Sequence, residues 1–359
     1  MNNYIQLSDA QKQAVLTQCK NMMGLPEQAV EKDYWVTVML QLIFDSELSE
    51  HIIFKGGTSL SKNGNLIERF SEDIDLAVNY EYFGLNDEPT KKQLKKLRKS
   101  SSLFVREALA SAITNQIERY GLKDQLSITV EPDGEGDSTY PEPRHIYIEY
   151  QSVLPVFLDY IRPMIVLEVG ARSLMEPSIG LQVKSIIEDT LPQINTDVVQ
   201  VKATTAAPQK TFLEKAFLLH ELFSVEHDTL PANRRSRHLY DLNRMMDRYF
   251  AVAAIQDDAL WEHIRHHREK FTSIVGVDYS GDIRDRICLV PPEKHIDDWR
   301  KDYQYMCDSM IYGEKPSFAE LMESIRELER SLGRENSCYL KNGRLVIAGK
   351  KKSSIIACI

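Results

Sequence analysis

Gly56 and Gly57, in Phe54-Lys55-Gly56-Gly57-Thr58-Ser59-Leu60, are followed by two carboxylates at alternate positions, Asp73 and Asp75 in Ser71-Glu72-Asp73-Ile74-Asp75-Leu76. Paired glycines let the backbone approach a ligand closely, and a helix starting there aims its free N–H groups at an anion. Thr58 and Ser59 add hydroxyls, and Lys62, four residues beyond Thr58, would share its helix face and add positive charge. In a strand, residues two apart project to one side, so Asp73 and Asp75 would stand together while Ile74 and Leu76 face a core. Two aligned carboxylates suit a hard divalent cation, and Mg2+ characteristically sits between one or two carboxylates and substrate phosphates. The chemistry within reach is the handling of a metal-bound nucleoside triphosphate.

Each half also has a plainer reading. A tight turn and a capped helix explain Gly56, Gly57 and Ser59 without a ligand, and solvent-facing acids are common on edge strands. The two in this order are more specific than either alone. Arg69, just before the acidic strand, suits a phosphate or base contact and suits an ordinary lone arginine equally well. Glu168 is an acid among apolar residues in Ile165-Val166-Leu167-Glu168-Val169. Either it faces solvent from a strand, or it is buried and needs a partner such as a metal, because an unpartnered buried carboxylate is costly.

The elements that must position these groups can be outlined from periodicity. Ser8 and Asp9 can cap a helix through Met22, Gly24-Leu25-Pro26 breaks it, and Gln28 to Phe44 resumes amphipathic spacing. His51 to Lys55 and Ile74 to Val78 read as strands around a short helix from Ser59 to Arg69. A long charged helix over 91–120 precedes strands at Gln125 to Val130, His145 to Tyr150 and Met164 to Val169. Beyond Pro208 the patterning is helical, over Thr211 to Val225, Arg237 to Phe250, Asp258 to Phe271 and Phe318 to Ser331. The expected domains are a catalytic domain over 1–200, a helical domain over 201–335 and a tail over 336–359.

Composition narrows the class. The 359 residues are 43% apolar, and the longest apolar runs, such as Val36 to Phe44, fall far short of the roughly 20 residues that span a bilayer. No membrane role is expected, and with neither a basic nor an apolar leader at Met1 to Gln6, cytoplasmic residence is the default expectation. The five cysteines are scattered and suggest free thiols, neither a disulfide framework nor a zinc site. The nine histidines, His263, His266 and His267 among them, show no metal-binding spacing and receive no catalytic role. A net charge of −9 argues against wholesale coating of nucleic acid, yet Lys91 to Arg106 carries only basic charges, either a local basic face or a solvated helix surface.

The runs FKGGTSLSK and ERFSEDIDL resemble the polymerase-beta-type nucleotidyltransferases and, within them, the AbiEii/AbiGii toxin family. Upstream EKDYWVTVML at Glu31 to Leu40, and downstream RPMIVLEVGARS, LEKAFLLHE and RHLYDLNRM, fall in that family's order, so the resemblance covers roughly residues 25–250. The fifteen residues between Gly57 and Asp73 slightly exceed the spacing of the broad superfamily and fit the toxin branch. His238 stands where an acid often follows the arginine.

The resemblance implies an α+β protein: a polymerase-beta-type core, its mixed sheet flanked by helices, plus a helical C-terminal domain. It implies Asp73, Asp75 and Glu168 as ligands of Mg2+ or Mn2+, Glu168 doubling as general base, and Lys215 reaching the phosphates. Asp241 joins the active site, and Gly56, Gly57, Thr58, Ser59, Lys62 and Arg69 bind nucleotide. Read from residue type alone, Lys215 is a surface ion-pair lysine and Asp241 a structural acid. The implied activity is transfer of a nucleoside monophosphate from a triphosphate to the 3′ end of tRNA, blocking translation in a toxin–antitoxin or phage-defence system, with a cognate antitoxin as partner. Three rivals stay open: a protein acceptor, a D-x-D glycosyltransferase using a nucleotide sugar, and a non-catalytic nucleotide- or RNA-binding regulator.

Overall fold

Short apolar and alternating runs in the first half of the chain become seven strands in a computed structural model of the protein. The structure describes all residues except 1–2, 65, 137–138, 156–160, 193–200, 226–231, 334–336, 342–343 and 349–359. The chain divides into two compact units, Met1–Ala207 and Pro208–Ile359.

In the first unit the strands are β1 (Ile52–Lys55), β2 (Ile74–Val78), β3 (Leu126–Val130), β4 (Arg144–Tyr150), β5 (Met164–Gly170), β6 (Ser178–Val183) and β7 (Val201–Ala206). Their order across the sheet is β3-β4-β5-β2-β1-β7-β6. The pairs β2–β5 and β1–β7 are parallel and the rest antiparallel, so the sheet is mixed, in keeping with the α+β expectation. Ile74, Leu76, Ile146, Ile148, Leu167 and Val169 are buried, which fixes the core face and leaves Asp75, His145 and Glu168 on the other. β6 and β7 were not expected from sequence. β6 alternates apolar Ile179, Leu181 and Val183 but is a short, largely exposed edge, and β7 is built mostly from Ala and Thr, so its apolar signal is weak. Because the division falls at Ala207, β7 completes this sheet instead of opening the second unit.

The helix Asp9–Met23 starts on a Ser8–Gln11 capping box and stops at Gly24, whose φ of 71° needs a residue without a Cβ. The next helix, Glu27–Phe44, is buried on every side from Ala29 to Ile43, not amphipathic as its spacing suggested. It packs against β5 and β7 and lies at the centre of the unit. The expected single helix over 91–120 is two, Lys91–Phe104 and Ala110–Arg119, joined through a π turn at Val105–Leu109.

Three consecutive charges on the central helix are buried, and each fastens a different segment. Glu31 accepts from Ser152 Oγ (2.5 Å) and Val153 N (2.9 Å), beyond β4. Lys32 donates to Glu72 Oε2 at 2.6 Å, one residue before Asp73. Asp33 accepts from Lys62 Nζ at 2.5 Å and from Ile186 N at 2.6 Å. Removing one member of a buried pair strands the other charge, at a cost of about 3–5 kcal/mol. Lys32→Met is therefore expected to destabilise the protein by about 3 kcal/mol in urea unfolding, with Lys32→Met/Glu72→Leu recovering most of the loss. A double variant no more stable than the single one would show that the pair is not the cause.

The second unit carries helices Pro208–Phe223, Ser236–Met245, Tyr249–Gln256, Asp258–Phe271, Ile296–Ser309 and Phe318–Leu332. The helix expected over Arg237 to Phe250 ends at Met245, and Asp247 beyond it accepts from Leu345 N at 2.6 Å. Leu345 belongs to β9 (Arg344–Ala348), which pairs antiparallel with β8 (Ser337–Lys341), so the described part of the expected tail is a hairpin. Lys350, Lys351 and Lys352 lie outside the described residues. No helix of the described residues is long and apolar enough to cross a membrane.

Candidate active site

Strand register assembles the site. Asp75 of β2 has Lys55 of β1 as its partner on one side and Glu168 of β5 on the other, and His145 of β4 pairs with Glu168 in turn. Cross-strand partners share a face, so Lys55, Asp75, Glu168 and His145 form a transverse band on the open side of the sheet, with Asp73 two residues before Asp75 on the same face. Asp75 and Glu168 are adjacent like charges, with the basic residues Lys55 and His145 next to them on either side in the register. Glu168 is 43% exposed at its side chain, so its apolar neighbours Leu167 and Val169 point the other way and the burial argument for a partner does not apply.

His145 and Glu131 were missed by sequence reasoning. The His145 imidazole Nδ1 lies 2.9 Å from Glu131 Oε2, and the same oxygen accepts from His145 N at 2.9 Å. Nε2 is 3.9 Å from Glu168 Oε2, an ion-pair distance longer than a hydrogen bond. Glu168 first, and then Glu131, raise the imidazole pKa to about 9 against the lowering effect of burial. By geometry Glu131 is the firmer partner. The available signal was the alternation in Arg144-His145-Ile146-Tyr147-Ile148, which puts His145 opposite the buried isoleucines, but only the β4–β5 register brings it beside Glu168.

The glycine turn abuts this band. A Cβ on Gly56, whose φ is +78°, would stand 1.8 Å from Asp75 Oδ2, and one on Gly57 would stand 2.7 Å from Arg69 Nη2. Both glycines are therefore required by the protein's own side chains as well as by any ligand. The helix that follows is Gly56–Lys62, starting and ending earlier than the expected Ser59 to Arg69.

Four residues expected to touch nucleotide have other engagements. Thr58, buried, donates to Asp73 O at 2.5 Å and lies 3.0 Å from Ser71 Oγ, pinning the entry to β2. The Ser59 hydroxyl donates to Gly56 O at 2.9 Å. Lys62 corrects the shared-face expectation: its ammonium has three donors, and Asp33 Oδ1, Thr37 Oγ1 (3.0 Å) and Lys184 O (2.9 Å) take them. Arg69 is 1% exposed, with its guanidinium packed behind Gly57, so it supports the turn from within.

In the second unit, Lys215 and Asp241 come together. Lys215 Nζ is 2.9 Å from Asp241 Oδ2, and the two side chains are 9% and 0% exposed. Lys215 is thus ion-paired but buried, not the surface lysine its residue type suggested. Asp302 accepts from the backbone N–H of Arg234 (2.6 Å) and Ser236 (2.9 Å), capping the helix that carries Asp241. Arg244 pairs with Glu314 at 2.8 Å.

Among the described residues no group of three or more His, Cys, Asp or Glu side chains is arranged to hold a metal ion. Asp75 and Glu168, adjacent and on one open face, fit the looser demand of Mg2+, which takes one or two carboxylates and completes its shell with water and substrate phosphate.

Two solved structures match over most of the chain. JHP933 from Helicobacter pylori is 15% identical, with 86% of this chain and 91% of that chain covered and a TM-score of 0.41. MenT4, a nucleotidyltransferase toxin from Mycobacterium tuberculosis H37Rv, is 16% identical, with 84% and 99% covered and a TM-score of 0.42. No curated protein matches. The family model of the nucleotidyl transferase AbiEii toxin, type IV toxin–antitoxin system, matches residues 38–324, a span containing the glycine turn, the acidic band and the Lys215–Asp241 pair. The chain belongs to the AbiEii nucleotidyltransferase toxins.

Proposed function

We propose that this toxin transfers a nucleoside monophosphate from a triphosphate to the 3′ end of tRNA, with release of pyrophosphate, and that its antitoxin restrains the reaction. The observation that carries the chemistry is the Asp75–Glu168 pair, two carboxylates in register on adjacent parallel strands with Gly56 pressed against one of them. Asp75 and Glu168, with Asp73 beside them, would hold Mg2+ or Mn2+, which when bound supplies charge neutralisation at the phosphates.

The chain's own residues do the rest. Gly56 and Gly57 keep the backbone low enough for a phosphate to approach the band, while Thr58, Ser59, Lys62 and Arg69 hold that turn in shape. In the second unit Asp241 orients the Lys215 ammonium, which suits that ammonium to a nucleotide phosphate. Glu168, half-exposed, can accept the proton of an attacking hydroxyl.

Incubating the purified protein with Mg2+, triphosphates labelled at the α-phosphate, total tRNA and cell protein tests the acceptor. Label in tRNA, mapped to the terminal nucleotide by sequencing 3′ ends, is expected. Label in protein alone would overturn the tRNA assignment while sparing the chemistry.

A further inference from the structure

The helix Lys91–Phe104 runs against the local rules of helix charge. Lys91 and Lys92 occupy its first turn, where the helix dipole disfavours cations, and that turn contains no acid. Even its capping box, Thr90 with Gln93, uses a neutral partner. Lys91, Lys95 and Lys99 repeat at i, i+4 and i+8 and Lys92 and Lys96 at i and i+4, so like charges adjoin along the exposed face. All five lysines are exposed, and none is paired with a carboxylate of the described residues. Elsewhere in the same unit surface cations do find acids: Arg106 meets Asp133 at 2.6 Å and Lys123 meets Glu118 at 2.7 Å. Lys99 stands over the Tyr140 ring at 5.3 Å, and otherwise these charges, on a chain of net charge −9, have no ion-pair partner among the described residues.

The stripe is also held in place. Leu97 and Phe104 are buried beneath it, and Arg98 Nε donates to Tyr140 O at 2.7 Å. Ser101 Oγ donates to Glu142 Oε2 at 2.6 Å, and Glu142 Oε1 accepts from Ala171 N at 2.6 Å. Ala171 lies three residues beyond Glu168 on the chain of β5, roughly 10 Å along an extended backbone. The basic face is thus fastened to the strand that carries the acidic band.

We infer that the Lys91–Lys99 stripe is a docking surface for the phosphate backbone of RNA, holding an acceptor strand beside the band formed by Asp75 and Glu168. The choice of RNA over another polyanion rests on the proposed nucleotidyl transfer. A row of ammonium groups without acidic partners, carried on an anchored helix, suits a polymer of regularly spaced phosphates, whose binding releases counterions and weakens steeply with salt.

The test uses the full chain and a 5′-fluorescein-labelled RNA hairpin with a single-stranded 3′ end, read by anisotropy from 50 to 300 mM NaCl. Replacing the five lysines by Gln, a residue of similar helix propensity, is expected to raise Kd at least tenfold at about 100 mM salt. The slope of log K against log salt should shrink by roughly 0.7–0.9 for each phosphate that is no longer neutralised, and triphosphate binding should not change. Kd and slope within twofold of the unaltered protein would overturn the inference, provided circular dichroism shows the helix intact. So would stripe-dependent binding of polyglutamate with RNA binding unaffected, which would assign the surface to an acidic protein. Stripe-dependent RNA binding by a protein that turns over no triphosphate would instead overturn the proposed reaction and leave the surface standing.

Discussion

Asp75→Asn is expected to lower nucleotidyl transfer by at least about 10²–10³-fold while leaving thermal stability equal or slightly raised. Asparagine keeps the shape of the side chain, so the strand and its contact with Gly56 survive. It neutralises one of two like charges that adjoin in the register, and it removes one of the three carboxylates proposed to suit a divalent cation. Loss of activity with a gain or no change in Tm separates a functional carboxylate from one that supports the fold, because functional sites commonly carry a stability cost. A variant that loses activity and unfolds together would point to a structural role.

Gly56→Ala should combine two defects. Its Cβ would lie 1.8 Å from Asp75 Oδ2, and its φ of +78° is strained for any residue with a Cβ. The strain alone costs on the order of 1 kcal/mol, as Gly64→Ala would show, since Gly64 has φ +61° and nothing within 4 Å of its Cβ position. At Gly56 the Asp75 carboxylate must also swing aside, which breaks the band. The expected result is a destabilisation of about 2–3 kcal/mol, with transfer falling as far as in Asp75→Asn. Urea unfolding and transfer rates measured side by side check this. If Gly56→Ala behaves like Gly64→Ala in both, the turn does not govern the carboxylate.

Local patterns exposed much of this architecture. β2 appears at the residues its alternation indicates, Asp9–Met23 starts at the Ser8 cap, and Asp258–Phe271 follows its helical patterning. The strands that escaped notice are β6, a short and largely exposed edge whose alternation spans only Ile179, Leu181 and Val183, and β7, made mostly of small residues. The acidic spacing of Asp73 and Asp75 was legible because strand period is local. Partnership across strands was not, since only register places Glu168 and His145 in line with Asp75. Lys62 shows the reverse hazard. Helical spacing put it beside Thr58, but a buried acid 29 residues upstream, Asp33, claims its ammonium. Burial likewise decided Glu31, Lys32 and Asp33, which read as ordinary polar positions of an amphipathic helix until that helix lies buried on every side.

The most direct test compares triphosphates labelled at the α- or γ-phosphate, offered with Mg2+ and tRNA to the unaltered protein and to Asp75→Asn. Only the α-label is expected to enter the acceptor, with pyrophosphate released, and Asp75→Asn is expected to transfer almost none. Transfer of γ-label, or equal α-transfer by Asp75→Asn, would contradict nucleotidyl transfer at the Asp75–Glu168 band.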